Sequence, residues 1–299
     1  MTAPKTVNAQ IYRFIGKEKP ETTPLTIDNN SIRFFHDVLS DKCSFEIDEE
    51  RIWWLTFFKG SIYEQVLCVG FKEDNTRKQH LYHKRYEALI KLAYYYVIDD
   101  DETDTAAAYN SDYIRGSKAI KYADHFALSL NSIHIDGRGL SFIASMETQY
   151  SQFERYILLL ALTQAYRIVI EQLSTELALI NDITNDKKLD ELYLKVAEFN
   201  AIYFLSRPVK SSRTNVSEIW DIVSEKLLLE KISSELCNQI SSLHYIISAK
   251  QQKEMKQIEM QSNDIREQRN EIINKWGLRL AIIGVGITLV DLFFNLFVK

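Results

Sequence analysis

The feature that most limits this chain is a nearly unbroken apolar run close to its C-terminal end, LAIIGVGITLVDLFFNLFV at residues 280–298. As a helix rising about 1.5 Å per residue, it reaches roughly the thickness of a bilayer's hydrocarbon core. A buried core helix would also be apolar, but is usually shorter. A helix lying among headgroups carries a charged face, which this run lacks. Arg266, Arg269, Lys275 and Arg279 precede it beside Trp276, and only Lys299 follows. Positively charged flanks stay on the cytoplasmic side. The sequence therefore predicts a single-pass protein of the inner (cytoplasmic) membrane, its larger part in the cytoplasm and Trp276 at the interface.

The less hydrophobic residues of the run, Ala281, Gly284, Thr288, Asp291 and Asn295, follow one another at steps of 3, 4, 3 and 4. That spacing puts them on one edge of a helix and leaves Ile282, Leu289, Leu292, Phe293 and Phe294 for lipid. Small residues let helices approach closely and polar ones hydrogen-bond between them, so a homo-oligomer is expected. An ionised carboxylate inside a bilayer costs about 2.5–3.5 kcal/mol on insertion scales, so Asp291 should face protein or water. Either copies of Asp291 ring a cation path lined by Thr288 and Asn295, or the carboxyl is protonated, hydrogen-bonded across helices or hydrated near the far interface, and only holds the helices together. Gly284, Thr288, Asp291 and Asn295 are thus the pore-lining or helix-packing candidates.

Elsewhere the composition is that of an ordered chain. Apolar residues make up 46% and charged residues 26%, and glycine (9) and proline (4) are scarce, which favours helix and about two domains. A net charge of −5 without a basic tract gives no reason to expect a nucleic-acid partner. Cys43, Cys68 and Cys237 are odd in number and widely spaced, as reduced structural thiols would be. Residues 1–16 lack the charged start and apolar segment of a secretory signal.

The patterning predicts an α+β N-terminal cytoplasmic domain (residues 1–145), an antiparallel helical module (146–214), a long stalk helix of bundle or coiled-coil type (215–279) and one C-terminal transmembrane helix (280–298). In the first part, residues 9–15, 51–58 and 62–71 read as strands, while 31–39 and 78–98 carry a helical period. Asp136-Gly137-Arg138-Gly139 reads as a hairpin turn. Residues 146–180 and 189–205 read as two helices, the first buried on more than one side. Asn215 with Glu218 has the form of a capping box, and Ile258, Ile265 and Ile272 recur at sevens in the segment that follows.

Other candidate sites are less specific. Asp99, Asp100, Asp101, Glu102 and Asp104 offer the oxygen ligands that a divalent cation prefers, although a run of like charge is more often a solvated loop. Tyr94 and Tyr95, with Arg115, Lys118 and Lys121 downstream, can stack on a base and meet a phosphate, which makes 94–121 a candidate ligand-sensing surface. Packing in the core is the plainer use of the tyrosines and of Trp53, Trp54, Phe57 and Phe58. His80 and His83 lie one turn apart without a third zinc ligand, and His36, His125, His134 and His244 stand apart from one another. No serine elbow, P-loop, dinucleotide fingerprint or H-E-x-x-H segment occurs, so no cofactor is identified and no enzyme is indicated.

The order of parts, a cytoplasmic α+β domain, antiparallel helices and a very long helix entering the membrane, resembles the CorA family of divalent-cation transporters. That resemblance implies a funnel-like homo-oligomer whose stalk helices continue into a pore bundle lined at Gly284, Thr288, Asp291 and Asn295. The family's Gly-Met-Asn loop is missing, and no second span follows Phe297. The functional expectations are a channel-like or membrane-depolarising effector gated by its cytoplasmic domain, as in an antiviral response, or a membrane-tethered interaction protein that scaffolds an unidentified protein partner.

Overall fold

The structure, a computed structural model, describes residues 4–16, 19–73, 85–128, 130–180 and 186–297; the side chains of residues 73, 100, 186 and 291–297 lie outside the description. Two units are present, Met1–Ile240 and Ser241–Lys299.

The first unit is built on strands β1 (Thr6–Phe14), β2 (Thr23–Pro24), β3 (Thr26–Ile27), β4 (Asn30–Ser31), β5 (Ser44–Ile47), β6 (Trp53–Phe57), β7 (Gln65–Glu73), β8 (Tyr86–Tyr96), β9 (Phe126–Ala127), β10 (Asn131–Ile135) and β11 (Gly139–Ala144). Among the described residues, nine of them form one sheet in the order β2-β5-β6-β7-β1-β8-β11-β10-β9, and β3 and β4 pair separately. Every pairing in the sheet is antiparallel except β11 with β8. The helices are α1 (Asp37–Ser40), α2 (Thr103–Arg115), α3 (Tyr150–Ala178), α4 (Asp186–Glu198), α5 (Thr214–Lys226) and α6 (Leu229–Phe297).

Residues 86–96, expected to be helical, are the strand β8, and residues 78–84 lie outside the described residues. Glu87, Ala88, Leu89 and Lys91 favour helix locally, and from Leu92 to Tyr95 the strand is buried on both faces, so no polar-apolar alternation marks it there. Leu92 and Tyr94 point one way, and Tyr94 packs on Phe142 and on Phe153 of α3. Lys91 and Tyr95 point the other way, where Tyr95 packs with Ala106 and Ala107 of α2 and Lys91 Nζ donates to the Tyr113 carbonyl at 3.0 Å. The expected helix at 31–39 is likewise only the single turn α1, preceded by β4.

The predicted hairpin forms. Asp136 accepts from the backbone N–H groups of Arg138 (2.7 Å) and Gly139 (3.1 Å), and closes the turn between β10 and β11. A Cβ at Gly139 would stand 2.3 Å from the Lys91 carbonyl oxygen, so only glycine admits the parallel approach of β11 to β8.

α3 is apolar on all sides because it packs against the sheet as well as α4 and α5. Its neighbours share one aromatic cluster, in which Phe58, Tyr166 and Phe199 meet and the Tyr166 hydroxyl donates to the Tyr203 carbonyl at 3.0 Å. Trp53, Trp54, Phe57 and Phe58 are all buried. The three cysteines are free, and burial pushes the Cys43 thiol up to about 12.

The stalk expected as one helix over 215–279 is interrupted. α5 stops at Lys226, Leu228 takes a left-handed φ of 54°, and α6 begins at Leu229. No glycine or proline marks this break. Its cause is packing: Leu227 and Leu229 are buried while Leu228 is left outside, an arrangement that consecutive helical residues on one face do not allow. The capping box at Asn215 and Glu218 is also absent, since the N-cap lies two residues earlier, at Arg213, and makes no side-chain cap.

Candidate functional site

α6 is the element on which the sequence places a membrane span. Two helices among the described residues are long and apolar enough to cross a bilayer, and their burial separates them. In the segment holding α3, 78% of the apolar window is buried, the signature of a core helix, whereas in α6 the figure is 0%. Leu280, Ile282, Ile283, Val285, Ile287, Leu289 and Val290 are all exposed, although water around that many aliphatic side chains is unfavourable. At the upstream flank the Arg279 guanidinium sits 5.5 Å from the centre of the Trp276 ring.

Of the polar edge, Gly284 has nothing within 4 Å of the place a Cβ would occupy, as is also true of Gly277 and Gly286 on the same helix. Thr288 Oγ1 donates to the carbonyls of Gly284 (3.1 Å) and Val285 (2.8 Å), which satisfies the hydroxyl within its own helix. Asp291 and Asn295 fall on the same helix by backbone, and their side chains lie outside the described residues.

The acidic run leads into α2. Asp100–Glu102 form a 3-10 turn and Asp104 lies in the first helical turn, where negative charge is favoured. Glu102 bonds to Lys5 Nζ at 3.1 Å, which holds its carboxyl below the usual range, and accepts from the Ile98 N–H. Asp99, Asp101 and Asp104 are described without a shared ligand geometry, and no cluster of three or more His, Cys, Asp or Glu suited to a metal occurs among the described residues. The side chain of Asp100, like His80 and His83, lies outside the description.

The five residues of the candidate sensing surface do not converge. Tyr94 and Tyr95 are adjacent in a strand and therefore point to opposite faces, and both are buried. The Tyr94 hydroxyl has no hydrogen-bond partner among the described residues, and burial raises its pKa. Arg115 is committed to Asp136 by a short ion pair, while Lys118 and Lys121 are exposed in the following loop.

What the fold does gather beside them is a polar cluster whose members are scattered in sequence. The His125 and His134 rings lie 5.7 Å apart, and His134 Nε2 is 3.7 Å from Asp136. His125 Nδ1 faces the Lys121 carbonyl at 3.1 Å, an acceptor only, so this nitrogen carries the proton and Nε2 accepts from the Ser141 hydroxyl at 2.8 Å. Asn110 Nδ2 donates to the same Ser141 oxygen at 2.9 Å. A hydroxyl on an imidazole is the beginning of a nucleophile-base pair. Here Ser141 is completely buried, on the face of β11 that α2 covers, and no substrate can reach it. Burial also holds His125 below its ordinary pKa. The cluster satisfies polar groups behind the β10–β11 hairpin and is structural.

No family model, curated protein or solved structure matches this chain.

Proposed function

We propose that the chain is a single-pass membrane protein, held in the cytoplasmic membrane by the C-terminal part of α6, with its sheet-bearing unit in the cytoplasm. The observation that carries this reading is the wholly unburied apolar window of α6, set against the buried window around α3. The basic residues Arg266, Arg269, Lys275 and Arg279 favour the orientation. Copies associate along the edge Gly284, Thr288, Asp291 and Asn295. The small residue Gly284 suits close helix contact, and Asp291 needs a polar partner that lipid does not supply. The assembly is channel-like, in the manner the CorA-like order of parts implies, and Asp291 lines the conducting path.

Two experiments separate the parts of this reading. Full-length protein expressed in cells should resist alkaline carbonate extraction; recovery in the soluble fraction would overturn the span. In detergent, native mass spectrometry should show an oligomer that Gly284→Ile disperses, and a monomeric parent chain would remove the assembly. Asp291→Leu should then abolish cation flux in proteoliposomes while the oligomer persists. Flux that Asp291→Leu leaves unchanged removes Asp291 from the path, and no flux in the parent reduces the protein to a membrane-tethered interaction module.

A further inference from the structure

α6 is one unbroken helix from Leu229 to Phe297, so its polar stalk and its apolar segment share a single helical register. A helix completes a turn in about 3.6 residues, and residues 18 apart, five turns on, therefore fall on one line. Asn263 stands 18 residues before Ala281, Arg266 before Gly284, Asn270 before Thr288 and Gly277 before Asn295. The polar edge of the apolar segment thus continues upstream along the stalk. Ile273, the counterpart of Asp291, is the apolar member of that line.

The isoleucines that recur at sevens lie elsewhere. At about 100° per residue, Ile258, Ile265 and Ile272 fall roughly 110–150° round the helix from the line of Asn263, Arg266 and Asn270. All three are exposed. Ile247, about three turns before Ile258 on the same far side, is buried, so that side is already occupied there. One stiff helix cannot turn both sides to the same neighbour. Setting the isoleucines in line with the polar edge would need α6 to rotate by nearly half a turn between Ile272 and Ala281. The backbone there stays helical throughout, and Gly277 has no positive φ.

We propose that a second copy of this chain meets the stalk along Asn263, Arg266 and Asn270, so that the contact between copies in the membrane runs on upstream on the polar side of α6. The isoleucine stripe faces away from the axis and is not the seam of the oligomer. This inference rests on the membrane association proposed above, and adds which side of the stalk the neighbour occupies. The membrane edge supplies the attraction, and the stiffness of α6 fixes the orientation of the stalk. The stalk contact itself is wet, and water and salt screen each Arg266 from its copies, since charges are screened over about 8 Å at physiological ionic strength.

The test is disulfide cross-linking of the full-length chain in native membranes, one cysteine substituted at a time, with the parent chain setting the background from Cys43, Cys68 and Cys237. With helix axes about 8–10 Å apart and Cα atoms about 2.3 Å from each axis, inward-facing Cα atoms of neighbouring copies come within the roughly 7 Å a disulfide spans, whereas outward-facing ones stand roughly 12 Å apart. Asn263→Cys and Asn270→Cys should therefore give about tenfold more cross-linked dimer than Ile265→Cys and Ile272→Cys, their near neighbours along the helix. Thr288→Cys, on the membrane edge, should cross-link as well. Isoleucine variants that cross-link as much as the asparagine variants, or more, overturn the proposal. So does cross-linking by Thr288→Cys with none by Asn263→Cys or Asn270→Cys, a result that leaves the membrane association standing. No cross-link at any position, with a monomer by native mass spectrometry, removes the association itself and the proposal with it.

Discussion

Glu154 lies on α3 between Arg155 and the approach of Asp28. Burial raises its carboxyl to about 7, the Asp28 charge adds to the rise, and Arg155 opposes it. Because the folded value lies above the 4.5 of an ordinary glutamate, between those limits the native state holds a proton that the unfolded chain has released. The stabilisation is complete below the unfolded value and is lost as pH climbs through about 7. Glu154→Gln should therefore flatten the stability profile between those limits and raise stability at pH 8 by up to about 3 kcal/mol. Urea unfolding at pH 5 and pH 8 reads this directly, and a variant no more stable at pH 8 than its parent would show that Glu154 ionises without cost. A single residue also explains why part of the site escaped sequence reasoning. His125 and His134 looked isolated because nothing local announces the short β9–β10 pairing that sets them side by side.

Among the elements, those with a local signature were legible. The turn at Asp136–Gly139 has its own chemistry, and α3 and the apolar C-terminal part of α6 have sustained apolar patterns. β8 was not, because burial of Leu92–Tyr95 on both faces erased the alternation there and the residues before it, Glu87 to Leu89, favour helix. The β3–β4 hairpin went unread because Asp-Asn is a weaker turn signal than Asn-Gly. The α5–α6 break leaves no mark either, since tertiary burial of Leu227 and Leu229 imposes it. A left-handed conformation costs a leucine about 1–2 kcal/mol, and Leu228 is half exposed, with little packing to lose. Leu228→Gly should thus stabilise the protein by about 0.5–1 kcal/mol after its own entropic cost in the unfolded chain. A destabilised variant in thermal or urea unfolding would mean that the Leu228 side chain contributes more than its exposure suggests.

At the scale of the whole molecule, the sheet and helices α2 to α5 lie in one compact unit, and α6 continues into the second. Removing residues 278–299 should leave the melting transition of the first unit within about 2 °C of the parent, because no residue of its core lies there. A large downward shift, or aggregation of the truncated chain, would show that the unit depends on the apolar segment. The long apolar stretch of α6 could be read from sequence because it is contiguous. The cleft lined by residues 27–34, 152–155 and 212–216 could not, since those segments lie far apart in the chain. One consequence concerns how the sheet is put together. β1 occupies an interior position between β7 and β8, both of which follow far downstream. On a nascent polypeptide its two hydrogen-bonding margins stay open until those partners have been synthesised, an interval in which a misplaced strand from another chain can take either side. Chaperone capture at β1 would protect the growing protein during that wait.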